Sequence, residues 1–125
     1  MSEEKKQISI GLAENEITSG QDVQGTITID YSGRWDSLVI NSQIENSNDV
    51  FSYTELNGKK IKHPYARFSI FKSELGGKNI INFTAITNHI PADDHSKAKF
   101  RVSIIQEHKE VASDIAYAKI RKKRV

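Results

Sequence analysis

Hydrophobic and polar residues alternate with a period of two along most of the chain, the pattern of strands that bury one face. Ile8, Ile10 and Leu12 fall on one side of a first strand. Val23, Ile27 and Ile29 fall on one side of a second, with Gly25 in the same register. Between them, Glu14 to Gln21 holds Asn15, Ser19 and Gly20 and reads as a turn. A third strand sets Leu38, Ile40, Ser42 and Ile44 against Val39, Asn41, Gln43 and Glu45, and the polar run Asn46 to Asp49 ends it. Asn57-Gly58 is the dipeptide that best accepts the positive φ angles of a type I′ turn, so Val50 to Leu56 and the segment from Lys59 form a predicted hairpin.

Further strands follow at Ala66, Phe68 and Ile70, closed by Ser73 to Gly77, and at Ile81, Phe83 and Ala85. After Pro91 and a predicted loop from Ala92 to Lys97, the most regular strand turns Ala98, Phe100, Val102 and Ile104 inward and Lys99, Arg101 and Ser103 outward. Residues 111–120 fit either a helical stripe through Val111, Ile115 and Ala118 or a strand through Val111, Ile115, Tyr117 and Lys119. A strand is favoured, because the sheet needs a closing partner more than it needs one helix. Seven to nine short antiparallel strands predict an all-β, immunoglobulin-like sandwich. Its expected core is Ile10, Leu12, Ile27, Ile29, Leu38, Ile40, Phe68, Ile70, Phe83, Phe100, Val102 and Ile104.

Two stretches resemble arrestin-like domains. The first is Ser19-Gly20-Gln21-Asp22-Val23-Gln24-Gly25-Thr26-Ile27-Thr28-Ile29, preceded by the strand Ile8 to Leu12. The second runs from Asn82-Phe83-Thr84-Ala85-Ile86 through Ile90-Pro91 to Phe100-Arg101-Val102-Ser103-Ile104. The same pattern resembles the sporulation-control proteins of that clan. In such a strand Gly25 leaves room for a neighbouring backbone or a large ring. The resemblance implies a single sandwich of the arrestin N-terminal type serving as a protein-binding scaffold or adaptor.

Length and charge narrow the picture. A chain of 125 residues is the size of one domain, and 37% hydrophobic with 27% charged residues suits a packed core. No cysteine is present, which excludes disulfides and thiolate chemistry. No secretory apolar segment follows Met1-Ser2-Glu3-Glu4-Lys5-Lys6, and the chain is read as soluble and cytoplasmic. Five of the 18 basic residues (Lys119, Arg121, Lys122, Lys123 and Arg124) lie at the C-terminus, leaving 13 against 16 acidic residues in the rest. The division expected is a sandwich domain over 1–118 and a basic tail over 119–125.

Candidate chemistry is sparse. No glycine-flanked nucleophile, phosphate loop, His-Glu-x-x-His or dinucleotide fingerprint occurs, so neither an enzyme nor a cofactor is expected. His89, Asp93, Asp94 and His95 share one segment with metal-ligand chemistry, although a solvated turn rich in Asp has the same composition. Trp35 fits either an exposed aromatic anchor or a ring plugging one end of the core. The leading expectation is a non-enzymatic module that binds a protein partner, or a second copy of itself, through a sheet edge or face. The candidate edges are Val50 to Leu56, with Phe51 and Tyr53, and Val111 to Ile120, with Ala116 and Tyr117. The alternative is a nucleic-acid or anionic-membrane binder acting through the tail, from Lys119 to Arg124.

Overall fold

The computed structural model describes residues 6–123. Ten strands are formed: β1 (Ile8–Leu12), β2 (Glu16–Thr18), β3 (Val23–Ile29), β4 (Ser37–Ile44), β5 (Ser52–Leu56), β6 (Lys59–His63), β7 (Arg67–Phe71), β8 (Ile80–Ile86), β9 (His95–Gln106) and β10 (Lys109–Arg121). They make two five-stranded sheets, ordered β1-β3-β8-β5-β6 and β2-β10-β9-β4-β7. All ladders are antiparallel except that between β2 and the end of β10. The chain is thus an all-β sandwich. No helix of the described residues is long and apolar enough to cross a membrane.

The inward faces follow the period of two. In β3 the buried residues are Val23, Gly25, Ile27 and Ile29, in β8 Ile81, Phe83 and Ala85, and in β9 Ala98, Phe100, Val102 and Ile104. Of the twelve expected core residues, ten are buried, while Leu12 and Phe68 are half-buried against the core. Rings join the two layers. Phe100 of the second sheet lies 5.7 Å from Phe83 of the first and 4.8 Å from Phe51. Phe83 in turn meets Tyr53 edge-on at 6.1 Å.

Gly25 sits opposite Phe83 in the β3–β8 ladder. A Cβ built on Gly25 would come within 2.3 Å of the Phe83 ring, so the missing side chain is what lets that ring lie across β3. Asn57 and Gly58 adopt φ of 49° and 81°, as the type I′ hairpin requires. A second hairpin joins β9 to β10 through Glu107 and His108, both with positive φ (48° and 66°). Asp36 Oδ2 holds this less favourable turn by accepting the Glu107 N–H at 2.7 Å.

Several expectations are corrected. Residues 14–21 are not all turn, because β2 buries Ile17 and pairs in parallel with Lys119 to Arg121. Three residues are too few to display a period. β9 begins at His95, inside the expected loop, because Ser96 and His95 find partners in Ile120 and Arg121. Val50 to Leu56 is no edge, since β5 starts at Ser52 and lies between β8 and β6. Residues 111–120 are a strand, but the face is inverted: Ala112, Asp114, Ala116, Ala118 and Ile120 turn inward and Ile115, Tyr117 and Lys119 outward. The cause is a bulge at Val111, which shifts the register between Glu110 and Ala112. The supposed tail also begins late, because Lys119 and Arg121 belong to β10.

Substituting Gly25→Ala is expected to destabilise the fold by about 1–3 kcal/mol through overpacking. The cost should shrink in a Phe83→Leu background, as measured by a double-mutant cycle in urea. Phe100→Ala, which empties a fully buried position, is expected to cost about 3–5 kcal/mol in the same assay.

Candidate functional site

A sandwich leaves edges whose backbone groups must be paired, blunted or used. On one flank the edges are β1 and β2. Asp114 points inward from β10 and accepts the Ile10 N–H of β1 at 3.0 Å while pairing with Lys6 at 3.3 Å, which caps this flank with a carboxylate. On the other flank the edges are β6 and β7. β6 carries Lys59, Lys60 and Lys62, charges that discourage strand pairing.

β7 has no lysine and no proline. The bonds Ser42 N–H to Ala66 O and Lys72 N–H to Asp36 O set its phase. Phe68 and Ile70 therefore turn their backbone groups toward β4, and Arg67, Ser69 and Phe71 turn theirs outward. His63 spans from β6 to cap one of these, its Nε2 donating to Arg67 O at 2.7 Å, and its ring stacks on Phe68 at 4.5 Å. Tyr53 packs beneath at 5.3 Å from Phe68 and donates to Ala66 O at 3.1 Å. Burial pushes the Tyr53 phenol up to about 12, with the Ser42 hydroxyl pulling the other way.

Past His63 the two edges separate and leave a groove of about 600 Å³. Its floor is Leu56, Ile61, Phe68 and Leu75, and Lys59, Lys62, Lys78 and Glu74 stand along it. Phe71, 58% exposed, lies on the same edge strand. The arrangement offers outward backbone groups, an apolar slot and a basic rim together.

The residues singled out from sequence are scattered by the fold. Trp35 is buried, with the Lys72 ammonium 5.1 Å above its ring, so it plugs the core and is not an exposed anchor. Phe51 and Tyr53 are fully buried and present no side chain to a partner. The segment that carries them is interior to its sheet, with β5 between β8 and β6, so neither lies on an edge. Ala116 is half-buried on the inner face of β10, whereas Tyr117, Lys119 and Arg121 stand on its outer face. Lys122 and Lys123 are exposed beyond the strand, and Arg124 lies outside the described residues. The groove was missed because its lining comes from four separate segments.

His89 leaves the presumed metal loop. It is buried at one end of the sandwich, with Nδ1 2.8 Å from Asp49 Oδ2 and Nε2 2.8 Å from Ser96 Oγ. Ser19 Oγ donates to its carbonyl at 2.6 Å, so four segments are tied at this point. Asp93, Asp94 and His95 remain exposed, and no group of three or more His, Asp or Glu among the described residues is placed to hold a metal. The hydroxyl, imidazole and carboxylate of Ser96, His89 and Asp49 do stand in line, a base beside a hydroxyl that sequence motifs did not suggest. Ser96 pairs with the fully buried Ile120 and points inward, which makes the line a tie across the sandwich end. The hydrogen bond from His89 holds the Asp49 carboxyl below its usual range, aided by Ser47. Arg101, and then Ser103, do the same for Glu110 on the outer face of the second sheet.

No family model and no curated protein matches this chain. Solved structures similar to it include a variant of the enterotoxigenic E. coli CFA/I adhesin CfaE, with a TM-score of 0.55 at 11% identity over 95% of this chain and 49% of that one. The human F-spondin reeler domain gives 0.48 at 12% identity, over 98% and 93% of the two chains. The E. coli chaperone DraB gives 0.41 at 14%, over 93% and 55%. The chain spans about half the length of the adhesin, and the likeness to it is one of fold: a β-sandwich.

Both lowered carboxylates stabilise the folded state above their unfolded values, near 3.9 for Asp and 4.3 for Glu, and that stabilisation is lost as pH falls through the folded values. Unfolding free energy measured in urea should therefore fall below about pH 4, and Asp49→Asn and Glu110→Gln should each flatten that acid limb.

Proposed function

We propose that the chain is a non-enzymatic interaction module, the role implied by the resemblance of two of its stretches to arrestin-like domains. Its partner is an extended protein segment laid along β7 and into the neighbouring groove. The observation that carries this reading is the coincidence of an edge left open beyond the His63 cap at Arg67 with an apolar slot between β6 and β7. The outward backbone groups of Ser69 and Phe71 bond the incoming strand. Alternate side chains then point down onto Ile61, Phe68 and Leu75, which selects apolar residues at every second position. Lys59, Lys62 and Lys78 stand along the same groove, which favours a segment that also carries carboxylates. Groove, edge and rim thus ask for one chemistry, an extended segment that combines apolar and acidic residues.

The test uses a fluorophore-tagged synthetic peptide alternating valine and glutamate over the length of β7, titrated against the full chain. Saturable binding is expected. Ser69→Pro removes an N–H that β4 does not use, so this variant should keep the wild-type circular dichroism and lose the peptide. Ile61→Glu should also lose it, by placing a carboxylate in the slot. Equal binding by wild type and a folded Ser69→Pro would refute the reading. A concentration-dependent dimer that Ser69→Pro abolishes would make a second copy the occupant instead.

The inward Ser96 hydroxyl supports the non-enzymatic part of the reading. A fluorophosphonate probe is expected to leave Ser96 unlabelled in the native protein. Labelling that disappears with His89→Gln would make the Ser96, His89 and Asp49 line a working nucleophile.

A further inference from the structure

The outer face of the second sheet gathers charges that lie far apart in sequence. β9 turns Lys97, Lys99 and Arg101 outward, and β10 sets Lys119, Tyr117 and Ile115 directly opposite them in that order. Tyr117 is 67% exposed, faces Lys99 across the ladder and has Lys119 two residues along its own strand. The two arginines of this face are neutralised, Arg101 by Glu110 and Arg121 by Glu16. Lys97, Lys99 and Lys119 form no ion pair among the described residues. Three unpaired ammonium groups therefore stand about the Tyr117 ring, with the exposed Glu45, whose N–H bonds Lys97 O, flanking Lys97 on the side of β4.

Lys97 and Lys119 are cross-strand partners, and like charges directly opposite each other destabilise a sheet. An anion between them would remove that repulsion. Beside them is an open hollow of about 410 Å³ lined by Asn15, Lys97, Tyr117, Ala118 and Lys119. It therefore presents a ring face, an amide and two ammonium groups within one small surface. Lys122 and Lys123 continue the positive charge past the end of β10.

We infer that this face binds a single-stranded nucleic acid, with one base stacked on Tyr117 and the flanking phosphates on Lys97, Lys99 and Lys119. An unpaired base offers its ring to an exposed aromatic and its phosphates to the cations beside it, whereas the paired bases of a duplex are stacked inside it and offer no free ring. An anionic membrane is the poorer fit, because Ile115, at 38% exposed, is the one apolar side chain that joins Tyr117 on this stretch of β10. The site is independent of the groove, since β10 and β7 lie on opposite sides of β9 and β4 in the sheet.

The test is fluorescence anisotropy of a fluorescein-tagged oligothymidylate with the full chain at low salt, against inorganic polyphosphate and phosphatidylserine vesicles. Binding of the oligonucleotide is expected. Tyr117→Ala should weaken it by about five-fold or more while leaving polyphosphate binding unchanged, and Tyr117→Phe should restore it. The double variant Lys97→Gln with Lys119→Gln should reduce the slope of log K against log salt by about 1.4, two phosphates at about 0.7 each. All three positions are on the outer face, so circular dichroism should not change. No binding at low salt would overturn the inference. So would a Tyr117→Ala variant equal to wild type, or binding to vesicles without binding to the oligonucleotide.

Discussion

The Phe83 ring occupies the space of the side chain that Gly25 lacks, and the rest of the sandwich is arranged around that contact. From Phe83 the rings run to Phe100 and Phe51 in one direction and to Tyr53, Phe68 and His63 in the other. The first branch joins the two sheets at their centre. The second brings the edge strands β6 and β7 together at His63, where a hydrogen bond to Arg67 O adds to the stack. The groove opens where that branch ends. Its walls are therefore extensions of the core and hold their spacing without a ligand, which favours binding because little needs to be ordered on association.

Much of this architecture was legible because one-sided burial imposes a period of two. β3, β4, β8 and β9 could each be read from their apolar alternation, and Asn57-Gly58 fixed one hairpin by its backbone chemistry alone. What was illegible has definite causes. β2 is three residues long, and its pairing depends on the far end of the chain. The Glu107-His108 turn has no favourable residue of its own and is held by Asp36, 71 positions away in sequence. A single bulge at Val111 reverses which face of β10 is buried, and no alternation count detects a residue that belongs to neither phase. The groove and the His89 tie are assembled from segments that only the fold brings together.

Charge shows the same distinction between a list and a surface. In sequence the lysines and arginines after residue 118 look like a solvated tail, and the neighbours of Tyr117 along the chain, Ala116 and Ala118, are apolar. Pairing β10 with β9 places Lys97, Lys99 and Arg101 beside that tyrosine and makes Lys119 a strand residue. Glu110 and Glu16 engage the arginines of this face, while the exposed Glu45, whose N–H bonds Lys97 O, flanks Lys97 without forming an ion pair, so the lysines keep their ammonium groups unpaired. An arginine holds a carboxylate through a planar fork, whereas lysine is a flexible point charge. The free cations are thus the ones best able to follow an irregular, mobile chain of phosphates.

The edges decide where a partner strand can add. Asp114 and Lys6 close the side of β1, β2 is too short to template a strand, and the lysines of β6 would lose hydration beside a strand that brings no negative charge. β7 carries none of these devices beyond the single cap from His63 at Arg67. Two of those lysines, Lys59 and Lys62, also line the groove beside β7, so a segment rich in carboxylates meets attraction where an apolar one meets a desolvation cost. One row of charges can in this way disfavour unselected strand pairing and still admit a segment of the opposite charge.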